Sequence, residues 1–410
     1  MTKEVSIMYL MSALAILQWL VGPVVYFSDL NPGMTFEITK MQVGYEEYFD
    51  FALPATISFC IGLCLFKVSD HRLDSLINRI KENLPALAPW AKRLIVFAFI
   101  ADTLVPFTPG AIRQYVLFLG YLKYLGFCVL LLTAIYYKSR SAYLYLGLSI
   151  LLILISTVKA LMFGELVFAI ALIALIVLPF IKTRLIYRLS AIFLLTTLVV
   201  GIQLIKPMSR AYMWDSRGDT SFVGLYRVIK SSNILSLKNV KSEGFVGYSI
   251  ARFNQGSVVS WTMSRVPKKV PFENGKTVVS SSLGSFIPRL VWPNKPVAGK
   301  AMYEKYTGLK LVGASYGISQ LGEAYVNFGV KGGIIFMFFL GLVFNLIQNR
   351  IVLNSEMKLS LLFILPILFL HGIKVETDIT RSLGFIIRFL IFIGIINMFL
   401  KALTAKTLIK

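Results

Sequence analysis

Apolar runs of about 20 residues recur along most of this 410-residue chain and constrain its fold more than any other feature. An α-helix rises about 1.5 Å per residue, so a run of this length crosses about 30 Å of hydrocarbon. Hydrophobic residues make up 57% of the sequence and charged residues only 15%, whereas soluble domains carry about 25% charged residues. The pattern predicts an integral membrane protein and argues against a soluble nucleic-acid-binding protein, although the formal net charge is +22.

Ten apolar runs are predicted to cross the bilayer as helices. They lie near residues 7–26, 48–67, 91–107, 115–137, 142–158, 161–181, 186–205, 333–349, 359–372 and 383–400. The predicted fold class is therefore all-α, a polytopic membrane helix bundle of about 10 transmembrane helices. Helices 1–7 occupy residues 1–205, a large polar loop occupies 206–331, and the last three helices occupy 332–410. Apolar residues at helical spacing near 72–90, with basic residues between them, predict an interfacial helix on the cytoplasmic face.

Basic residues are distributed unevenly between the two sides of this predicted bundle. With a cytoplasmic N-terminus, the inside segments carry 17 Lys and Arg and the short outside loops carry 5. Cytoplasmic loops are enriched in Lys and Arg, so the bias predicts that both termini are cytoplasmic. The large loop, residues 206–331, follows the seventh crossing and is predicted to lie on the outer face.

The large loop is basic and rich in aromatic residues. It carries 18 Lys and Arg against 6 Asp and Glu, about half of the net charge of the chain, and its aromatic content predicts folded structure. Arginine is the preferred residue for bidentate binding of phosphate, so the loop is interpreted as a binding site for an anionic, lipid-linked substrate. A solvated basic surface that contacts lipid headgroups is the alternative. The arginines concerned are Arg210, Arg217, Arg227, Arg252, Arg265 and Arg289, with Arg381 in the last outside loop.

Charged residues inside the apolar runs are a second signal. Lys123, Glu165 and Arg388 lie within predicted crossings, and Lys159 lies in a short outside turn. Each charge costs about 2.5–3.5 kcal/mol at the centre of a spanning helix, so these side chains are predicted to face the bundle interior or an aqueous cavity. A structural ion pair between Lys159 and Glu165 is the alternative interpretation.

Acidic residues on the outer face are few, and Glu323 lies next to the eighth crossing. A carboxylate beside a group of arginines can act as a general base toward a sugar hydroxyl. A helix cap or a loop hydrogen bond is the alternative for Glu323. Glu376 and Asp378 are the acids of the last outside loop.

Motifs for metal or nucleotide chemistry are missing from the sequence. It contains no Asp-x-Asp pair, no Walker loop and no His-Glu-x-x-His. The three cysteines lie in apolar runs, and the two histidines, His71 and His371, are far apart. No metal and no cofactor is therefore predicted.

Two short motifs stand near the end of the large loop. The first, FIPRLVWPNKP, contains Pro288, Trp292, Pro293 and Pro296, and is followed by Gly299, Lys300 and Tyr303. The second, SQLGEAYVNFGVKGG, contains Gly322, Tyr325, Asn327, Phe328 and Gly329. Together with the layout of many spans and one large outer loop, these motifs resemble the oligosaccharide repeat-unit polymerases of the Wzy type. That family includes the O-antigen, enterobacterial common antigen and exopolysaccharide polymerases.

The resemblance implies a GT-C-like glycosyltransferase of the bacterial inner (plasma) membrane, with the large loop in the periplasm. Such an enzyme would transfer a polyprenyl-pyrophosphate-linked glycan onto another lipid-linked repeat unit, and polyprenyl pyrophosphate would leave. Arginines can stabilise that leaving group without a metal. The implied partners are the lipid-linked oligosaccharide, membrane lipids, a chain-length regulator and a flippase, and no nucleic acid.

The expected site residues follow from the resemblance. Arg252, Arg289 and Arg381 are expected to contact pyrophosphate, and Glu323 is the candidate base, so that Glu323, Arg289 and Arg252 form the expected catalytic set. Lys159 stands where family members often carry an arginine. The expected substrate-binding residues are Arg381, Arg217, Arg265, Lys159, Lys300, Tyr303, Tyr325, Asn327, Trp292 and His371.

Three other functions fit parts of the same pattern. Polyprenyl-phosphate-sugar glycosyltransferases place key acids in the first outside loop, and residues 27–47 hold four acids but no paired acidic motif. An O-antigen ligase is close in class and would use a lipid A-core acceptor. A lipid-linked oligosaccharide flippase or other transporter would need charged residues across several spans.

Arg289→Ala is expected to lower polymer yield by about 10²-fold, because it removes a cation expected to contact the pyrophosphate leaving group. The measurement is the glycan ladder of cells that depend on this protein. Arg113→Ala, which removes an arginine from another short outside loop, is the control and is expected to leave the ladder unchanged. Normal polymer length and yield in the Arg289 variant would remove this residue from the site.

Overall fold

The computed structural model describes residues 7–28, 39–160, 163–181, 253–287, 299–310 and 317–407, with the backbone alone at residues 111, 158–160, 163–165, 281 and 399–407. Within these ranges the chain forms helices joined by turns and loops, and no strand is present. This confirms the all-α class. Seven helices in the described ranges are long and apolar enough to cross a bilayer, which is consistent with a helical membrane protein.

The described helices are numbered in chain order. Those of the first half are α1 (Ile7–Phe27, with a π-helical stretch at Ile16–Val21), α2 (Tyr45–Cys64), α3 (Asp70–Leu104), α4 (Gly110–Tyr137), α5 (Arg140–Ala160) and α6 (Phe163–Val177). Those of the second half are α7 (Gly256–Arg265), α8 (Lys276–Phe286), α9 (Lys300–Thr307), α10 (Ser319–Ser355), α11 (Leu365–Leu368) and α12 (Ile379–Thr407).

Seven of the ten predicted crossings overlap helices of spanning length. The crossing predicted near 161–181 corresponds to the shorter apolar helix Leu166–Phe180, and the one near 359–372 corresponds to Leu359–Leu368. A helix of ten residues rises about 15 Å, half of the hydrocarbon thickness. The crossing predicted near 186–205 lies outside the described residues.

Helix α3 contains the segment near 72–90 that was predicted to be an interfacial helix, and the membrane placement of this segment stays a prediction. It is one continuous helix of 35 residues that passes through Pro85 and Pro89. Leu73, Leu76, Ile77, Ile80 and Leu84 form a stripe at helical spacing that is at most 5% exposed. This stripe packs against protein, and the same helix continues into the crossing predicted near 91–107.

Helices α2 and α10 approach each other closely through two glycines. A Cβ at Gly62 would collide with the carbonyl oxygen of Phe338 on α10, and a Cβ at Gly341 would collide with that of Phe59 on α2. Small residues let helix backbones approach in a bilayer, where packing contributes strongly to helix association. Phe59 and Phe344 meet edge to face beside this contact, with ring centroids 6.4 Å apart. Helices α2 and α10 therefore form a closely packed centre of the bundle.

Gly329 divides α10 into two parts. The helix contains 37 residues, and its backbone leaves the helical region at Gly329, with φ 65° and ψ −158°. Glycine adopts a positive φ at little cost, and the Phe272 ring lies 3.3 Å from the position that a Cβ there would occupy. The break separates a buried polar part, residues 319–328, from the apolar part, residues 330–355.

Aromatic packing holds α12 against α4. Phe118 of α4 contacts Phe385, Phe389 and Phe392 of α12, with ring centroids 5.4, 5.4 and 5.5 Å away. These three positions are spaced at four and three residues, so they share one face of α12. Helix α12 also packs along α8, which places the start of α12 near the first part of α10.

An ion pair joins α3 and α4 inside the bundle. Lys123 of α4 pairs with Asp102 of α3, and its ammonium lies 5.6 Å from the Phe99 ring and 5.4 Å from the Tyr124 ring. Gly120 provides space for the carboxylate, because a Cβ there would collide with it. Lys123 is 9% exposed and so faces the interior as predicted. The sequence analysis did not identify Asp102 as its partner.

Gly341→Ala is expected to destabilise the protein by about 1–3 kcal/mol, because the added methyl group forces α2 and α10 apart. The measurement is the thermal unfolding midpoint of the purified protein in detergent. Gly147→Ala in α5 is the matched control, since nothing lies within 4 Å of the Cβ position there. Equal midpoints for the two variants would contradict the prediction.

Candidate functional site

Glu323 lies in the second turn of α10, and its side chain is completely buried. Its Oε1 accepts hydrogen bonds from the hydroxyls of Thr277 on α8 and Thr380 on α12, both at 2.8 Å. Its Oε2 accepts the backbone N–H of Thr380 at 3.1 Å. The carboxylate therefore joins α8, α10 and α12 through three hydrogen bonds in a shielded place, where such bonds are strong.

Two carboxylates meet the N-terminus of α12. The Oδ1 of Asp378 accepts the backbone N–H of Arg381 at 2.8 Å, which is the geometry of an N-cap, and Glu323 accepts the N–H of Thr380. The Nε of Arg381 lies 3.7 Å from the Oδ2 of Asp378. Burial raises the pKa of Asp378, against the opposing effect of Arg381. Negative charge at this end of a helix is favoured by the helix dipole, so both acids have a structural role.

Four basic residues lie in the turn before α12 and in the first turns of α12. His371 and Lys374 belong to this turn, and Arg381 and Arg388 lie two turns apart on one face of α12. Burial, together with the positive charges of Lys374, Arg381 and Arg388, lowers the pKa of His371 to about 3. His371 is therefore neutral near pH 7, and its ring lies 4.5 Å from that of Phe385. These four residues are called the basic cluster below.

Within the basic cluster Lys374 is buried, and His371, Arg381 and Arg388 are partly exposed. Lys374 is 9% exposed, and its ammonium lies 5.5 Å from the ring centre of Phe168 on α6. Gly384 gives room to Arg388, whose guanidinium lies 3.3 Å from the position that a Cβ at Gly384 would occupy. A buried charge acts through a low effective dielectric constant, so Lys374 attracts anions more strongly than an exposed lysine would.

Arg381 also contacts the start of α9. Its guanidinium occupies the space that a Cβ at Gly299 would fill, and Gly299 has a φ of +95°, which other residues rarely adopt. Lys300 and Tyr303 follow in α9. Tyr303 is buried, and Lys300 forms an ion pair with Glu304 at 3.7 Å. The structure thus brings Lys300 and Tyr303 into the neighbourhood of Arg381.

Tyr325 and Asn327 make contacts inside the protein. The Tyr325 hydroxyl donates to the Val266 carbonyl at 3.3 Å, and its side chain is 7% exposed. Asn327 is completely buried, and its Nδ2 donates to Thr277 at 2.7 Å and to the Glu323 carbonyl at 2.8 Å. Both residues, which were expected to position sugar, support the polar part of α10 in this structure.

Arg265 lies at the other end of α9 from Arg381. Its guanidinium fills the space beside Gly308, which follows α9 and has a φ of +75°. A cation near the last turn of a helix is stabilised by the helix dipole. Because the eight residues of α9 rise about 12 Å, Arg265 is separate from the basic cluster.

Several predicted site residues lie outside the part of the chain that the structure describes. Arg217, Arg252, Arg289 and Trp292 lie outside the described residues, and the side chain of Lys159 is not described. Their assignment to the site stays a prediction. Among the described residues, no group of three or more His, Cys, Asp and Glu is placed to hold a metal ion.

Three residues of this site, Thr277, Thr380 and Lys374, were not predicted from the sequence. Thr277 and Thr380 bind Glu323, and no local pattern distinguishes them from other threonines. Lys374 is one of the five basic residues of the short outside loops and was not predicted to belong to the site. Asp378 stands directly before an apolar helix, and this is the usual sequence signal for an N-cap.

Comparison with known proteins gives one match. Residues 50–370 match the model of a family described as a domain of unknown function, DUF8712. No curated protein and no solved structure matches the chain. The matched range includes Glu323 and ends one residue before His371.

Glu323→Gln is expected to destabilise the protein by about 1–3 kcal/mol, because an amide places a donor against groups that now donate to the carboxylate. The measurement is the unfolding midpoint in detergent. Glu304→Gln, which removes a partly exposed carboxylate of a surface pair, is the control and is expected to change stability by less than about 1 kcal/mol. A midpoint for the Glu323 variant equal to that of the control would contradict the role of Glu323 as a link between three helices.

Proposed function

We propose that this chain, which belongs to the DUF8712 family, is a membrane glycosyltransferase of the GT-C-like class. It transfers a polyprenyl-pyrophosphate-linked glycan onto another lipid-linked repeat unit at the outer face of the bacterial inner membrane. The observation that carries the proposal is the basic cluster of His371, Lys374, Arg381 and Arg388, which surrounds the start of α12.

The basic cluster suits a pyrophosphate. Three cations come close enough to affect one imidazole, and Lys374 is almost completely buried. A pyrophosphate carries several negative oxygens, so it can contact more than one of these cations at once.

The proposed reaction joins an acceptor hydroxyl to the donor glycan and releases polyprenyl pyrophosphate. The acceptor oxygen forms a bond to the anomeric carbon of the donor glycan, the bond from that carbon to the pyrophosphate oxygen breaks, and polyprenyl pyrophosphate leaves with the electron pair. Arg381, Lys374 and Arg388 stabilise the charge that develops on the leaving group. The proton of the acceptor hydroxyl passes to a base or to water.

His371 takes part as a neutral group in this proposal. Its pKa, lowered to about 3 by burial and by the surrounding cations, leaves an imidazole that donates one hydrogen bond and accepts another. It can therefore orient a phosphate or a sugar hydroxyl without adding charge. Arg252 and Arg289, outside the described residues, are retained as further pyrophosphate contacts on the basis of the resemblance.

The geometry favours a positioning role for Glu323 over the role of general base. Its carboxylate is completely buried and accepts three hydrogen bonds from Thr277 and Thr380. A general base must reach the hydroxyl proton that it accepts, directly or through one water. In this proposal Glu323 fixes the N-terminus of α12 and thereby the place of Arg381.

The test uses the purified protein in detergent with a synthetic polyprenyl-pyrophosphate-linked repeat unit and a chelator. A ladder of longer glycans is expected without added nucleotide. Arg381→Ala is expected to lower the rate by about 10²–10³-fold, as for the loss of one donor that stabilises transition-state charge. Arg350→Ala, which removes an exposed arginine from the far end of α10, is the control and is expected to keep the wild-type rate.

Other outcomes separate the alternative functions. Transfer only to a lipid A-core acceptor would indicate a ligase, and movement of the lipid-linked unit between leaflets of a vesicle without transfer would indicate a flippase. Equal ladders from Arg381→Ala and Arg350→Ala would contradict the assignment of the basic cluster as the pyrophosphate site.

A further inference from the structure

Helix α8 exposes an apolar face and buries small residues. Val279, Leu283 and Phe286 are 56%, 58% and 59% exposed, and their spacing of four and three residues places them on one face of the helix. Gly284 and Ser285, on the other face, are buried. A helix on the surface of a soluble protein has the reverse arrangement, with its apolar stripe toward the core. Small residues toward the neighbouring helices and large apolar residues outward are typical of a helix in lipid.

The composition and length of α8 fit the same surroundings. No charged residue stands between Thr277 and Ile287. The hydroxyl of Ser280 donates to the backbone carbonyl of Thr277 at 3.2 Å, so the helix itself satisfies this polar group. The 11 residues of α8 rise about 16 Å, which is half of the hydrocarbon thickness. An apolar helix of this length is too short to cross a bilayer but long enough for a re-entrant segment.

Contacts with α10 and α12 give the direction of α8. Its first turn lies beside the start of α12, because the hydroxyls of Thr277 and Thr380 donate to the same oxygen of Glu323, both at 2.8 Å. Near its end, the hydroxyl oxygen of Ser285 lies 2.9 Å from the position that a Cβ at Gly384 would occupy. Helix α8 therefore runs in the same direction as α12, beside a helix of spanning length.

Two exposed lysines lie at the level where α8 begins. Lys276 is the first residue of α8, and Lys331 stands at the start of the apolar part of α10. The two places are adjacent, because the Phe328 ring lies 3.5 Å from the position that a Cβ at Gly275 would occupy. Lysines near the ends of membrane helices extend their amines to the headgroups. Helix α8 therefore starts at the headgroup level and continues toward the hydrocarbon.

The chain is again beside the start of α12 after α8. Gly299 lies against the guanidinium of Arg381, in the first turn of α12, and residues 288–298 lie outside the described residues. The segment thus begins and ends at one end of α12. Non-helical backbone at membrane depth is tolerated where it is buried in protein, and α8 has α10 and α12 as neighbours on its inner face.

We infer that α8 is a re-entrant helix, and that its face of Val279, Leu283 and Phe286 binds the acyl chains of the leaflet at the N-terminal end of α12. Phe328, which is 36% exposed and lies beside Gly275, continues this apolar face onto α10. The inference places one part of the large polar loop inside the bilayer. It is independent of the proposed glycosyl transfer.

Spin labels on single cysteines test the inference in phosphatidylcholine nanodiscs. In a background with the three native cysteines replaced by alanine, Val279→Cys, Leu283→Cys and Phe286→Cys are labelled. Collision of each label is measured with oxygen, which concentrates in lipid, and with a nickel chelate, which stays in water. The nickel collision rate at Leu283→Cys is expected to be about tenfold lower than at Met357→Cys, because a polar complex enters hydrocarbon poorly. Met357 is 88% exposed in the turn after α10.

The label depth is expected to increase from Val279→Cys to Phe286→Cys. Nickel collision rates equal to that of Met357→Cys would place α8 in water. The same depth for all three labels would mean that the helix lies flat at the membrane surface. Low collision rates with both oxygen and nickel would mean that a second protein copy covers the face. Each of these three results would overturn the proposal.

A charged variant gives a second measurement that needs no label. Leu283→Asp is expected to lower the unfolding midpoint in nanodiscs by about 5 °C, because a carboxylate is costly in hydrocarbon. An exposed leucine in water would tolerate the same change, since surface substitutions usually have small effects. Met357→Asp is the matched control and is expected to keep the wild-type midpoint. Equal midpoints for the two variants would contradict the insertion of α8.

Discussion

The hydrogen bonds of Glu323 join three helices, α8, α10 and α12. One buried carboxylate accepts donors from α8 and α12 while it belongs to α10. Removing a partner from such a network leaves buried groups unsatisfied, and this costs more than an ordinary surface contact. The position of α12, and with it the place of Arg381 in the bundle, depends on this carboxylate.

The basic cluster shows how a membrane protein can gather positive charge at low cost. Asp378 caps α12 and lies beside Arg381, so its carboxylate partly compensates that cation. His371 stays neutral because burial and those cations disfavour its protonation. The cluster can therefore attract an anion while the structure without one remains stable.

The sequence predicted the class of this fold because a run of about 20 apolar residues has few structural alternatives in a bilayer. The ends of α1 and α4 lie within a few residues of the predicted crossings for that reason. It could not predict that α3 continues through Pro85 and Pro89, because buried contacts with other helices stabilise that stretch. The pairing of Lys123 with Asp102 likewise depends on how two helices pack.

The candidate site was predictable in part. Charge identified Arg381 and Glu323, because both are uncommon residues in their surroundings. The choice between a base and a helix cap for Glu323 required knowledge of its burial and of its donors on two other helices. Thr277 and Thr380 lie about a hundred residues apart in the chain, so only the folded structure brings them to one carboxylate.

The break at Gly329 allows the amino-acid sequences of the two parts of α10 to vary independently. The apolar part of α10 sets the tilt of one span through its contact with α2, whereas the ten residues before the glycine carry Glu323 and Asn327. Because the change of direction resides in a backbone angle that L-residues rarely adopt, it does not depend on the side chains on either side of it. Substitutions in the polar segment before the glycine can therefore accumulate without re-orienting the apolar segment that follows it.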